Sequence, residues 1–86
     1  MSASLLEFPA EFPLKVMGRS EPGFRELVLA AVEPHAGPLG PDRVRSRHSR
    51  DGNFIAVTLE LRVTSQAQLD AIYTALSGHE RVLMVL

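Results

Sequence analysis

The stretch Asp51-Gly52-Asn53-Phe54-Ile55-Ala56-Val57-Thr58-Leu59-Glu60-Leu61-Arg62-Val63-Thr64-Ser65-Gln66-Ala67-Gln68-Leu69 decides the fold. Asp51-Gly52 marks a tight hairpin, because both residues tolerate the positive φ of such turns. From Asn53 to Val63 the apolar residues alternate. Ile55, Val57, Leu59, Leu61 and Val63 share one face, while Phe54, Ala56, Thr58, Glu60 and Arg62 share the other. A period of two over this length predicts a strand with one face in the core. Ser65 with Gln68 then makes a capping box. It opens a helix whose apolar stripe is Leu69, Ile72, Tyr73 and Leu76, and Gly78 stops that helix.

Working outward, Arg81–Leu86 reads as a final strand, with Val82, Met84 and Leu86 inward and Leu83 and Val85 outside. Ahead of the hairpin, Asp42–Ser49 alternates as well: Val44, Ser46 and His48 on one face, Arg43, Arg45 and Arg47 on the other. Gly37, Pro38, Gly40 and Pro41 make a stiff loop before it. Further back, Phe24, Leu27, Val28, Ala31 and Val32 recur at helical spacing, predicting a helix over about Glu21–Glu33. Ser20 is the expected N-cap and Pro22 suits the first turn. Pro34 would clash with the carbonyl of Ala30, so the helix should kink or end there. Phe12–Gly18 alternates as a half-buried strand, with Phe12, Leu14 and Val16 on one face. Residues 1–11, with Leu5, Leu6 and Phe8, are expected to form an irregular arm that clips onto the domain.

The order strand, helix, strand, strand, helix, strand predicts an α+β fold: a ferredoxin-like βαββαβ two-layer sandwich. Right-handed crossovers place four antiparallel strands in the order 4-1-3-2 with both helices on one face. Residues 12–86 would form this single domain. The strand from Asn53 to Val63 falls in the centre and the arginine-rich strand on an edge.

Composition sets outer limits. A chain of 86 residues buries only about 60–65% of its unfolded surface, in one thin core. Its 45% apolar content fits a folded protein, and a net charge of −1 exerts no global pull toward nucleic acid or membrane. The absence of cysteine removes disulfides, thiol chemistry and Cys-based zinc sites. Leu5-Leu6 is too short for a signal-peptide core, and no apolar run reaches a membrane span, so a cytoplasmic location is expected.

Several residues in sequence order carry a family resemblance. They are Leu6-Glu7-Phe8-Pro9, Lys15-Val16-Met17-Gly18, His35-Ala36, Ser49 with Gly52-Asn53-Phe54, Val57, Tyr73 with Leu76, and Met84-Val85-Leu86. Together they make the chain similar to the YbeD family of small uncharacterised bacterial proteins. The resemblance implies a ferredoxin-like fold similar to ACT-type regulatory domains. It brings no assigned activity and, on genomic context, a regulatory role near lipoate metabolism. The chain departs from the family at Pro34 and in the proline-rich 37–41 loop, which bears on the length of the first helix.

One candidate site is the strand–helix junction Gly18, Arg19, Ser20, Glu21 and Gly23. Glu21-Pro22-Gly23-Phe24 resembles the corresponding loop of ACT domains, with the acid directly before proline. The N–H groups of Glu21, Gly23 and Phe24 at a helix N-terminus would bind a carboxylate. Arg19 would add a second bond to it, and Glu21 would hold an ammonium. That chemistry suits a sensor of an amino acid or small acid. The plainer reading is a capped helix in which Gly23 permits close packing.

A second candidate is the basic edge of Arg43, Arg45, Arg47 and Arg50, with Arg62 beside them. These five arginines face only Asp51 and Glu60 between residues 43 and 62. They suit RNA phosphates, an acidic partner, or simply protection of an exposed strand. RNA is disfavoured, because no alternating aromatics form a stacking platform. The third candidate is an apolar outer patch of Leu83 and Val85 near Met17, suited to a protein partner or a weak homodimer, or else to cover by Leu5, Leu6 and Phe8 of the N-terminal arm folding back. No catalytic triad or paired-carboxylate spacing emerges, and His35, His48 and His79 are not brought together as metal ligands. The expectation is therefore a non-catalytic regulatory or protein-interaction module without cofactor or metal, monomeric or weakly dimeric.

Overall fold

Strand alternation and helical stripes resolve into two layers in the computed structural model, which describes residues 7–86. The elements are β1 (Ala10–Arg19), α1 (Phe24–Ala36), a 3-10 turn (Pro41–Arg43), β2 (Val44–His48), β3 (Phe54–Val63), α2 (Gln66–Ser77) and β4 (Val82–Val85). The antiparallel sheet has the order β2-β3-β1-β4, which is 4-1-3-2 read from the other edge. The expected ferredoxin-like topology is therefore present. No helix among the described residues is long and apolar enough to cross a membrane.

β1 and β3 form the spine, paired over their full length from Ala10↔Val63 to Arg19↔Phe54. Their inward residues Leu14, Val16, Ile55, Val57, Leu59, Leu61 and Val63 are buried, as the alternation predicts. The helices cover them with Phe24, Val28 and Val32 from α1 and Leu69, Ile72 and Leu76 from α2. Each large side chain so buried contributes roughly 1.5–3 kcal/mol. Phe8 packs on this same core, whereas Leu5 and Leu6 lie outside the described residues. β1 begins at Ala10, so Ala10 and Glu11, read as the end of the arm, are paired with Val63 and Arg62.

The first helix differs from expectation at both ends. It starts at Phe24, and its N-cap is Gly23 at φ 82°, without a side-chain cap. Ser20 is not the cap, because a turn separates it from the helix. In that turn the Glu21 N–H donates to the Arg19 carbonyl and the Phe24 N–H to the Glu21 carbonyl. Only a residue that accepts positive φ can convert the turn into a helix at this point, and glycine does so without strain. At the other end α1 runs through Pro34 to Ala36. Outside contacts hold the turn beyond the proline: Gln68 Nε2 donates to the His35 carbonyl at 2.9 Å and the Leu39 N–H to Glu33 Oε2 at 2.9 Å.

α2 begins as predicted, with Ser65 Oγ accepting from the Gln68 N–H at 3.1 Å. The Gln68 side chain returns the bond one residue early, its Oε1 accepting from the Thr64 N–H at 2.7 Å. The β2–β3 hairpin also forms. Gly52 at φ 79° closes its turn, and the Ser49 N–H donates to the Phe54 carbonyl. β2 is shorter than Asp42–Ser49, because Pro41–Arg43 coil into the 3-10 turn.

β4 corrects the expected phase. Met17 pairs with Met84 but Gly18 pairs with Val82, so Leu83 is the extra residue of a bulge. Val82 and Val85 then both pack on the core, while Met84 and Leu86 are 51% and 59% exposed. The inserted residue shifts the alternation by one position. Val85 therefore faces inward, and Met84 and Leu86 do not.

Candidate functional site

At the junction, Gly18 leaves no gap for a ligand. A Cβ placed there would meet the Phe24 ring and would lie 2.6 Å from the Arg81 carbonyl oxygen. The glycine exists so that Phe24 can seat against β1. Of the three amides that would greet a carboxylate, those of Glu21 and Phe24 are already bonded within the turn. Arg19 and Glu21 are also committed to separate neighbours. The Arg19 guanidinium lies 5.8 Å from the centroid of the Phe54 ring, and Glu21 Oε1 is 3.3 Å from Arg81 Nε. Arg81 further donates to the Pro22 carbonyl at 2.9 Å and sits over Phe24 at 6.0 Å. Sequence reasoning missed this clamp, since 59 residues separate Arg81 from Pro22.

Ser20 finds a different partner from the one expected. Its Oγ is hydrogen-bonded to His48 Nδ1 at 2.9 Å, across β3. The rung beneath joins Gly18, Ile55 and His48, so the bond ties the junction to the edge strand. Neither residue carries a sequence signal for this pairing. A serine–histidine pair needs an orienting acid and exclusion of water to act as a nucleophile. No ion pair or hydrogen bond joins His48 to a carboxylate among the described residues, and the contact is exposed. No group of three His, Cys, Asp or Glu among the described residues could hold a metal ion.

The basic edge is partly neutralised. Arg43 reaches Glu11 at 3.3 Å, Arg62 reaches the same carboxylate at 3.7 Å, and Arg45 reaches Glu60 at 3.0 Å. Such exposed pairs contribute at most about 1 kcal/mol each, but they remove local positive charge. Arg47, Arg50 and Lys15 have no carboxylate partner among the described residues. At the hairpin tip, Asp51 accepts from the Ser49 hydroxyl at 2.6 Å and the Asn53 N–H at 3.0 Å. The Ser49 bond, and secondarily the Asn53 bond, hold the Asp51 carboxyl below the ordinary aspartate pKa.

The outer face of the sheet is where exposed apolar surface and unpaired cations meet. Both helices pack on the inner face, so this one is uncovered by secondary structure among the described residues. Strand register sets its rows. One rung runs Arg47, Ala56, Met17, Met84, and the next runs Arg45, Thr58, Lys15, with Leu86 bonded beside Lys15 through both backbone groups. Phe54 stands beyond the first rung, 42% exposed. Leu83, at the bulge, is 55% exposed as expected. Met84 and Leu86 are the functional candidates that sequence reasoning assigned to the core. Val82–Leu86 is apolar throughout, so its pattern carries no phase.

A family model described as "Protein of unknown function (DUF493)" matches residues 3–86 of this chain. A UPF0250 protein of Paraburkholderia phytofirmans is 43% identical over 86 residues, covering all of this chain and 97% of the relative. A UPF0250 protein of Neisseria gonorrhoeae is 46% identical over 84 residues, covering 98% and 92%. These relatives bear out the YbeD-family resemblance. The solution structure of protein HP0495 from H. pylori superposes with a TM-score of 0.72 at 13% identity, covering 98% of this chain and 88% of that one. At that identity the likeness supports the fold alone.

Proposed function

The chain belongs to the DUF493 family, and from that footing we propose that it is a non-catalytic, regulatory protein-interaction module whose partner docks on the open face of the sheet. One observation carries this reading: Phe54, Met84 and Leu86 stand 42–59% exposed on or beside the same rows of a face that no helix among the described residues covers. Isolated exposed apolar residues are ordinary, but a patch ordered by strand register and rimmed by charge suits a protein interface. A small-acid sensor at the junction is less well supported, because the amides of Glu21 and Phe24 are bonded within the turn, Arg19 lies against Phe54, and Glu21 is paired with Arg81.

Photo-crosslinking in cells tests the reading. Benzoylphenylalanine is introduced at Phe54, at Met84 and, as a control on exposed α2 surface, at Asp70. Discrete protein adducts are expected at Phe54 and Met84 and not at Asp70. Adducts of equal yield at all three positions, or none at the two sheet positions, would sink the proposal.

A further inference from the structure

Two depressions adjoin on the outer face and share Arg47 and Ala56. The first, about 240 Å³, is bounded by Met17, Phe54 and Ala56 and is almost wholly apolar. The second, about 450 Å³, is bounded by Lys15, Arg45, Arg47 and Thr58. Its three cations face no carboxylate within the depression. Only Arg45 has an outside partner, Glu60, so Lys15 and Arg47 are unneutralised among the described residues. An apolar socket with one free cation, Arg47, on its own rung and another, Lys15, on the next is a bipartite surface.

We propose that this surface takes an acidic, extended protein segment, with an aliphatic side chain in the Phe54–Met17 socket and carboxylates on Lys15 and Arg47. The inference rests on the docking reading above and adds the chemistry of the partner. Charge complementarity selects the acidic rim, since unpaired cations around an apolar centre attract and orient carboxylates and repel basic segments. Both depressions are open, so they suit a chain laid across strands better than a small molecule, which needs most of its surface enclosed. RNA fits less well. Phe54 is the aromatic residue of these rows, and the Arg19 guanidinium already lies near its ring at 5.8 Å, whereas sequence-tolerant RNA binding stacks successive bases on several free rings.

The test is a titration of the full chain, followed through its amide resonances, with three probes. They are a peptide of about ten residues containing two leucines among aspartates, its counterpart with lysine for each aspartate, and an oligouridine of similar length. Only the acidic peptide should shift the amides of Lys15, Arg47, Phe54 and Ala56, with an affinity that falls as salt rises. Arg47→Glu with Lys15→Glu should weaken it about tenfold or more, while Arg47→Lys retains most of the binding. Both changed side chains are exposed, and an unchanged thermal midpoint certifies the fold. Equal response to the lysine peptide, tighter binding of the oligouridine, or shifts confined to Glu21–Phe24 would each overturn the assignment. So would a Phe54 crosslink to a cellular partner that Arg47→Glu with Lys15→Glu leaves undiminished. That last result would leave the docking reading standing and remove only its acidic partner.

Discussion

The ring of Phe24 occupies the space that a Cβ on Gly18 would need. Glycine at the end of β1 is thus a packing residue for the first side chain of α1. Gly18→Ala is expected to destabilise the protein by about 1–3 kcal/mol, the usual cost of overpacking. For a chain of this size that lowers the thermal midpoint by roughly 4–8 °C per kcal/mol. Pairing it with Phe24→Leu should recover part of the loss, because residues in contact do not behave additively. Thermal melts of the four variants of the cycle check this, and strict additivity would show that the two positions are uncoupled.

Two serines preceding helices separate the roles of caps and cross-links. Ser65→Ala should cost about 1 kcal/mol, because Ser65 Oγ accepts the Gln68 N–H at the start of α2. Ser20→Ala should cost less, since its bond to His48 is exposed and caps no helix. Denaturant midpoints at constant slope read the difference. A Ser20 cost above that of Ser65 would restore the capping role to Ser20.

Gln68 joins the ends of both helices, so its loss should be felt where it is distant in sequence. In Gln68→Ala the His35 carbonyl loses its 2.9 Å donor and the turn beyond Pro34 loses an external support. Native-state hydrogen exchange should show faster exchange at the amides of Gly37 and Leu39, which bond to Glu33. Core amides of β3 should be unaffected. Unchanged protection at Gly37 and Leu39 would mean that the turn holds itself.

The hairpin supplies a pH dependence of known sign. Hydrogen bonds from Ser49 and Asn53 lower the folded-state pKa of Asp51. Its stabilising contribution is therefore complete above the unfolded aspartate pKa of about 3.9 and disappears as pH falls through the lower folded value. Asp51→Asn should flatten the acid limb of stability against pH in that window, with little effect on the shape of the curve near neutrality. A carboxyl titration placing Asp51 at or above the ordinary value would contradict this.

The phase of β4 can be tested with two neighbouring positions. Val85 packs on the core and Leu83 is exposed at the bulge. Val85→Ser should destabilise by about 1–2 kcal/mol, while Leu83→Ser should stay within about 0.5 kcal/mol of the parent. Equal losses in equilibrium unfolding would place both side chains on one face, as strict alternation had implied.

The amino-acid sequence by itself determined the element order, the sheet order and the long central strand. Ile55 to Val63 alternate without interruption, and Ser65 with Gln68 mark a helix start by local chemistry alone. Those features depend on residues close in the chain, where period and capping are physically sufficient. Tertiary structure alone decided where Ser20, Arg81 and Met84 act. Ser20 bonds across β3 to His48, Arg81 reaches back to Glu21 and Pro22, and one extra residue in the pairing of β1 with β4 turns Met84 and Leu86 outward. A bulge in a wholly apolar strand leaves no trace in its periodicity, because either phase satisfies the pattern. The candidate site follows the same division. Arg45 and Arg47 were legible as part of an arginine-rich strand, but that Lys15 of β1 joins them, which cations remain unpaired, and beside which apolar side chains, is set by register between strands.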